Sequence, residues 1–325
     1  MTGFRRYDHV ERLGHDSVEG IAAGAVYVFP KLDGANASVW IDSTRPEGDR
    51  LCFGSRNLDI TDRADGLFGF AEWVRNQAAL AFAAKFIERP SCIIYGEWLV
   101  PHTLKTYRDE AWRRFWVFDV WDREQHKYLS YDDYATWLKA TFSVVPPLAT
   151  WNNPSEEQLR REVANNTYMI QDGAGLGEGI VIKNYDWQNR FGRQPWAKIV
   201  RNEFKEENRR AFGTPEKGGE FQVEAAIAEE WVTAALVEKT RAKVRLALMA
   251  RHGVSAVGPD IASDRAIEEQ FRDELIPQLL QCIYQELVTE ELWAAVKKHK
   301  DPTINFKKLR RYTIERTKKF AEDLF

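Results

Sequence analysis

Near residue 210 the sequence changes character, and the change splits the chain into two folding problems. Upstream, short apolar runs alternate with turn residues: Val26–Pro30, Ala35–Ile41, Leu51–Asn57 with its end leading into a loop, Cys92–Val100, Arg114–Trp121, Gly179–Lys183 and Trp196–Val200. Runs of this length bounded by Gly, Pro, Asn and Asp read as strands. Two longer stretches, Phe68–Ile87 and Ser130–Ala140, read as helices, and Ser155-Glu156-Glu157-Gln158 has the pattern of a capping box. Arg209–Glu220, with Phe212-Gly213-Thr214-Pro215 and Lys217-Gly218-Gly219, has the composition of a linker. Beyond it only helical spacing remains. Val223, Ile227 and Trp231 recur every fourth residue with Leu236 extending the face, and Gly253 is a stop. Ser263 begins a second helix carrying Ile267, Phe271 and Leu275, and Thr289-Glu290-Glu291-Leu292 opens a third. The expectation is an α+β chain: a strand-rich domain over residues 1–210 and an all-α domain over 222–325.

A length of 325 residues suits two ordinary domains. No apolar run approaches the length of a membrane span. Met1–Arg6 is not followed by an apolar signal core, so a cytoplasmic protein with no membrane partner is expected. Three scattered cysteines, Cys52, Cys92 and Cys282, argue against a disulfide framework and a cysteine zinc site. None of the histidines forms a His-x-x-x-His pair beside a glutamate, which removes the zinc hydrolase signature. A net charge of −3 does not announce a nucleic-acid binder, so the position of charge matters more than its sum. Lys297, Lys298, Lys300, Lys307, Lys308, Arg310, Arg311, Arg316, Lys318 and Lys319 crowd the final stretch. They read either as a phosphate-neutralising patch or as a solvated helical face.

Lys31-Leu32-Asp33-Gly34 lies between two of the apolar runs. It reads as a tight turn, with Gly34 free to take a positive φ. A lysine there is either solvated on a surface hairpin or placed beside a pocket as a nucleophile. The second use has a chemical requirement. The lysine amine titrates near about 10.4 and must lose its proton before attacking phosphorus. Neighbouring cations and a bound metal favour that loss. The remaining inventory of this domain suits nucleotide chemistry. Glu97 and Glu178 can hold a sugar hydroxyl or a magnesium ion. Arg56, Lys183, Lys198 and Arg201 can steady phosphate charge, and Phe118 can stack on a base. Each has a plain alternative: an edge-strand Glu97 facing water, a Glu178 that solvates its glycine-rich loop, a core Phe118, a surface Arg56.

The order of these residues resembles the covalent nucleotidyltransferase superfamily of DNA ligases, RNA ligases and capping enzymes. Lys31-Leu32-Asp33-Gly34-Ala35-Asn36 is similar to its first motif, and Ser55-Arg56-Asn57 to the arginine motif that follows. Tyr95-Gly96-Glu97-Trp98 resembles the third motif, and Trp116-Val117-Phe118-Asp119-Val120 the next. Glu178-Gly179-Ile180-Val181-Ile182-Lys183 is similar to the fourth motif and Trp196-Ala197-Lys198-Ile199-Val200-Arg201 to the fifth. The resemblance spans about residues 25–205. It implies antiparallel sheets flanking a nucleotide pocket. It also implies a three-step reaction: Lys31 takes AMP from ATP, AMP passes to a 5′-phosphate end, and a 3′-hydroxyl closes the phosphodiester. By the same resemblance Arg56 contacts the ribose or 5′-phosphate region, Glu97 holds the ribose hydroxyl, and Phe118 stacks on adenine. Glu178 serves the metal, Lys198 contacts the α-phosphate, and Asn36 lies near the reacting phosphate.

DNA ligases and capping enzymes of this superfamily usually continue into an oligonucleotide-binding β-barrel, which needs several short strands. The helical tail here is instead similar to an RNA ligase branch, as is the Leu99–Lys105 run. The expected activity is therefore ATP- and magnesium-dependent RNA ligation in RNA repair, with RNA bearing 5′-phosphate and 3′-hydroxyl ends as partner. A DNA nick ligase and a non-catalytic RNA-binding protein on the same scaffold are the alternatives. One departure stands out. The fifth motif commonly carries Lys-x-Lys, whereas Val200 occupies the second position and Arg201 comes one residue later. Adjacent strand residues face opposite ways, so Arg201 can substitute only where the strand ends or bulges.

Overall fold

The computed structural model describes residues 3–63, 66–100, 107–201, 223–254, 261–299 and 302–325. These fall into two compact units, one ending at Arg201 and one running from Val223 to Phe325. The linker expected over 209–220, most of the Leu99–Lys105 run and Lys300 lie outside the described residues.

The first unit contains strands β1 (Glu11–Arg12), β2 (Ala25–Lys31), β3 (Ala35–Ile41), β4 (Leu51–Ser55), β5 (Cys92–Leu99) and β6 (Arg114–Asp122). They are followed by β7 (Lys127–Tyr128), β8 (Ser143–Val144), β9 (Ala149–Asn152), β10 (Gly179–Lys183) and β11 (Ala197–Val200). One sheet has the order β1-β11-β10-β2-β9 and the other β4-β3-β5-β6-β7, with β8 beside β6. Pairing is antiparallel except at β1–β11 and β6–β8. Helices α1 (Phe70–Trp73) and α2 (Ala79–Glu88) are joined by a π-helical stretch, Val74–Ala78. They cover the face of the second sheet that carries Val39, Ile94 and Val117. The helix α3 (Tyr131–Leu138) starts at Ser130, whose hydroxyl accepts from Asp133 N. The helix α4 (Glu156–Asn165) starts with the full Ser155–Gln158 capping box.

The turn at Lys31 does not close a hairpin. The β2 strand pairs with β9 and β10, while β3 pairs with β4 and β5. Residues 32–34 therefore carry the chain from one sheet to the other. Gly34 is needed here for a reason other than a left-handed φ, which it does not adopt. A Cβ at Gly34 would come 2.7 Å from the Trp98 carbonyl oxygen and 3.0 Å from Glu97 Cγ. Gly179, opposite Lys31 in the ladder, is tighter still, with a Cβ running into the Ile199 carbonyl oxygen. Backbone crowding requires glycine at both positions.

The second unit is helical: α5 (Val223–Trp231), α6 (Ala234–Arg251), α7 (Ile261–Gln270), α8 (Arg272–Glu286), α9 (Leu292–Lys298) and α10 (Phe306–Phe320). Its core unites Ile227, Trp231, Val244, Leu248, Leu275, Leu279, Ile283 and Leu309. Two boundaries differ from the periodicity reading. The four-residue spacing through Leu236 hides a break, because the Thr233 hydroxyl accepts from Leu236 N and starts a fresh helix. Thr289 opens nothing; it lies in a π-helical stretch, Leu287–Glu291, running on from α8 into α9.

Candidate active site

Alternation along β2 sends Val26 and Val28 into one core with Ile180 and Ile182 of β10. Tyr27, Phe29 and Lys31 take the opposite face. Register extends that face across the sheet: Lys31 lies opposite Gly179, Phe29 opposite Val181, and Val181 opposite Lys198. Lys198 and Lys31 thus belong to neighbouring rows of one surface. The second sheet packs against it through Leu99, Trp116 and Phe118, which share a cluster with Phe29, Leu32 and Val181.

At the mouth of this interface Lys31 Nζ donates to Glu178 Oε2 at 2.6 Å. Both side chains keep partial access to solvent, 24% and 21%. Glu178 therefore does more than solvate its loop. Glu97 is no edge residue, since β5 lies between β3 and β6. Its Oε1 accepts from Gly34 N at 2.9 Å, which pins the 32–34 turn to the second sheet. Asn36 faces Glu97 in the ladder. Arg56 follows the last residue of β4, whose partner is Ala37, and its Nη2 lies 3.1 Å from His9 Nδ1. The β11 strand ends at Val200, and Arg201 N makes one further bond to Glu178 O at 3.0 Å.

Three features escaped sequence reasoning. The first is Tyr107, which is buried and belongs to none of the motifs. Its hydroxyl accepts from Asp33 N at 2.8 Å. Burial, helped by Asp33, Glu178 and Glu97, holds this phenol well above its usual range, so it keeps its proton. The second is a bulge in the β5–β6 pairing at Tyr95/Gly96. Val117 and Val120, three apart, both enter the α1–α2 core, so Phe118 and Asp119 turn to the other side in succession. The third is what Asp119 does there. Fully buried, its Oδ2 accepts from Tyr7 OH at 2.5 Å and Trp196 Nε1 at 3.0 Å, and pairs with Lys183 Nζ at 2.8 Å.

That pair alters the reading of Lys183. Expected to steady phosphate, it is 2% exposed, and its Nζ also donates to the Phe118 carbonyl at 2.6 Å. The rings of Phe29, Phe118 and Trp196 surround it, at 4.7, 5.5 and 5.7 Å from Nζ. Burial pushes the Asp119 carboxyl up and the Lys183 ammonium down, and their mutual attraction opposes both shifts. Lys183 ties the two sheets together beneath Phe118, which is itself half-buried against Tyr7 at 5.1 Å.

A metal at this site would not meet a protein cage. Among the described residues no group of three or more His, Cys, Asp or Glu gathers with metal-binding geometry. Magnesium commonly takes one or two carboxylates and completes its shell with water and substrate phosphates. Glu178, partly exposed beside Lys31, fits that use.

A family model described as RNA ligase matches residues 24–200. The chain belongs to the RNA ligase family. The match covers every motif residue singled out above except Arg201, which lies one residue beyond it. Solved structures similar to this RNA ligase family member include a Naegleria gruberi RNA ligase with PPi, at 21% identity and a TM-score of 0.46. The alignment covers 63% of this chain and 58% of that one. A variant of the same ligase with ATP and Mn gives 20% identity and a TM-score of 0.48, covering 63% and 57%. This family member thus spans less than two thirds of the length of those structures. No curated protein matches the chain.

Tyr107→Phe tests how tightly the 32–34 turn must be held. The variant leaves the Asp33 amide without its buried acceptor, a loss of about 1–3 kcal/mol of stability. The urea midpoint is expected to fall, because the turn that follows Lys31 loosens. An unchanged midpoint would mean that the Tyr107 hydroxyl does not hold that turn.

Proposed function

We propose that this chain is an ATP-dependent RNA ligase working through a lysyl-AMP intermediate. The observation that carries the reading is Lys31 Nζ held 2.6 Å from Glu178 at the end of β2, beside a turn that Glu97 fastens to the opposite sheet. The Lys31 amine, once deprotonated, attacks the α-phosphorus of ATP. The bond to the bridging oxygen breaks, pyrophosphate leaves, and AMP remains on nitrogen. AMP then passes to the 5′-phosphate oxygen of an RNA end. Attack by a 3′-hydroxyl forms the phosphodiester and releases AMP.

Lys198, on the same surface as Lys31, is the residue for α-phosphate charge as pyrophosphate departs. Glu97 and Arg56 are assigned to the ribose side, Asn36 to the reacting phosphate, and Phe118 to the adenine face. Lys183 is assigned a structural role through Asp119. Magnesium, held by Glu178 and the nucleotide's phosphates, would supply charge neutralisation at phosphorus. We place this activity in RNA repair in the cytoplasm.

The test is incubation with ATP labelled at the α-phosphate and magnesium, followed by denaturing electrophoresis and peptide mapping. Label on the peptide containing Lys31 is expected. A folded sample that takes no label, or takes it only from GTP, sinks the reading. Nicked duplexes with a ribose or a deoxyribose 3′-hydroxyl then separate RNA from DNA sealing, since the 2′-hydroxyl is the group that distinguishes them.

A further inference from the structure

The charge of this chain is unevenly distributed. The whole sequence carries −3, yet the fifteen residues of α10 hold seven cations and one acid. Packing decides which way those charges face. Leu309, Thr313 and Thr317 are buried in the helical unit. The two threonine hydroxyls donate back to Leu309 O at 2.9 Å and Thr313 O at 2.8 Å, so neither needs solvent. With that side fixed inward, the 3.6-residue period turns Lys307, Lys308, Arg311, Lys318 and Lys319 to the opposite, exposed side.

Several cations elsewhere in the unit are matched by acids. Arg241 pairs with Glu268 and Asp323, Arg245 with Asp264 and Glu268, Arg251 with Glu274, and Lys298 with Glu230. Within α10 itself Glu315 is the single acid, 3.6 Å from Arg311, and Arg316 lies 3.6 Å from Glu229 among the described residues. A row of cations in excess over acids along one helix face raises the local potential. From Lys307 to Lys319 it extends about 18 Å along the axis, at about 1.5 Å per residue. That length meets several phosphates of a nucleic-acid backbone.

We propose that the outer face of α10 is a docking surface for the phosphodiester backbone of RNA. The proposal rests on the ligase reading for the identity of the polyanion. A row of cations meets phosphates rather than base edges, so binding there is independent of base sequence and sensitive to salt. It adds affinity for the polynucleotide and takes no part in the transfer of AMP to Lys31.

The experiment compares the full chain with Lys307→Glu/Arg311→Glu/Lys318→Glu, and with the same three positions changed to Gln. The Gln set keeps good helix formers at exposed sites and so guards against unfolding. The probe is a nicked RNA duplex, with affinity measured across a salt series and label from α-labelled ATP measured without RNA. Affinity is expected to fall about tenfold to a thousandfold in the Glu set and less in the Gln set. The slope of log affinity against log salt should shrink by about 2–3 in magnitude. Labelling by ATP should be unchanged. Unaltered RNA affinity and slope in both variants would overturn the proposal. So would a parent chain that binds anionic phospholipid vesicles through this face and RNA independently of it. Loss of ATP labelling in the parent chain would instead count against the ligase reading, so the two failures are distinguishable.

Discussion

Lys31→Ala is expected to take no label from ATP at any concentration, and to lose ATP-driven sealing with it. The reason is specific. The adduct needs a nitrogen nucleophile on the turn between the two sheets, and Glu178 cannot supply one. The fold should survive, since Lys31 is partly exposed and its loss frees a carboxylate that solvent reaches. A second substrate makes the prediction sharper. RNA that already carries AMP on its 5′-phosphate enters after the lysine step, so the variant should still close it onto a 3′-hydroxyl. Sealing of the pre-adenylylated end with none of the plain 5′-phosphate end is the expected pattern. Label persisting on the alanine variant would place the nucleophile elsewhere. Parallel loss of both activities would give Lys31 a role beyond holding AMP.

Lys183→Met is expected to give the largest fall in stability. It leaves Asp119 as an uncompensated charge in a fully buried position, at a cost of about 3–5 kcal/mol. Adding Asp119→Leu should recover much of the loss, because the pair then goes as a unit. The single variant should also acquire a pH dependence. Burial already raises the Asp119 carboxyl, and removing Lys183 removes the main opposing influence. A carboxyl with a folded pKa above its unfolded value of about 3.9 binds more protons in the folded state. Stability of Lys183→Met is therefore expected to fall as pH rises from about 4 through the raised value. Guanidinium midpoints across pH measure this. A variant as stable as the parent and insensitive to pH would mean that the pair does not hold the sheets together.

Much of the site was legible in one dimension. Strand runs, the Ser155 cap and the spacing of Lys31, Glu97, Glu178 and Lys198 come from local pattern, and local pattern reflects backbone sterics and alternation. Other features were hidden for identifiable reasons. The Lys31 turn looked like a hairpin because sequence shows two adjacent strands without showing which strands they pair with. Gly34 looked like a positive-φ residue because nothing nearby in the chain announces the Trp98 carbonyl against it. Tyr107 lay outside every motif, and its hydrogen bond reaches across 74 residues. Lys183 looked like a phosphate ligand because Asp119 reaches it only through a bulge in another strand.

The amino-acid order alone determined that a strand-rich portion precedes a helical one, and that a lysine, two glutamates and a second lysine occur in a set order on strands and turns. The first follows from periodicity, which acts over a few residues, and the second was legible through the resemblance of the motifs to a known superfamily. Tertiary structure decided which of these groups meet. It brought Glu178 to Lys31, fastened the turn with Glu97 and Tyr107, and withdrew Lys183 into a buried pair. Such encounters depend on register, bulges and sheet packing. These are set by contacts between residues distant in the chain.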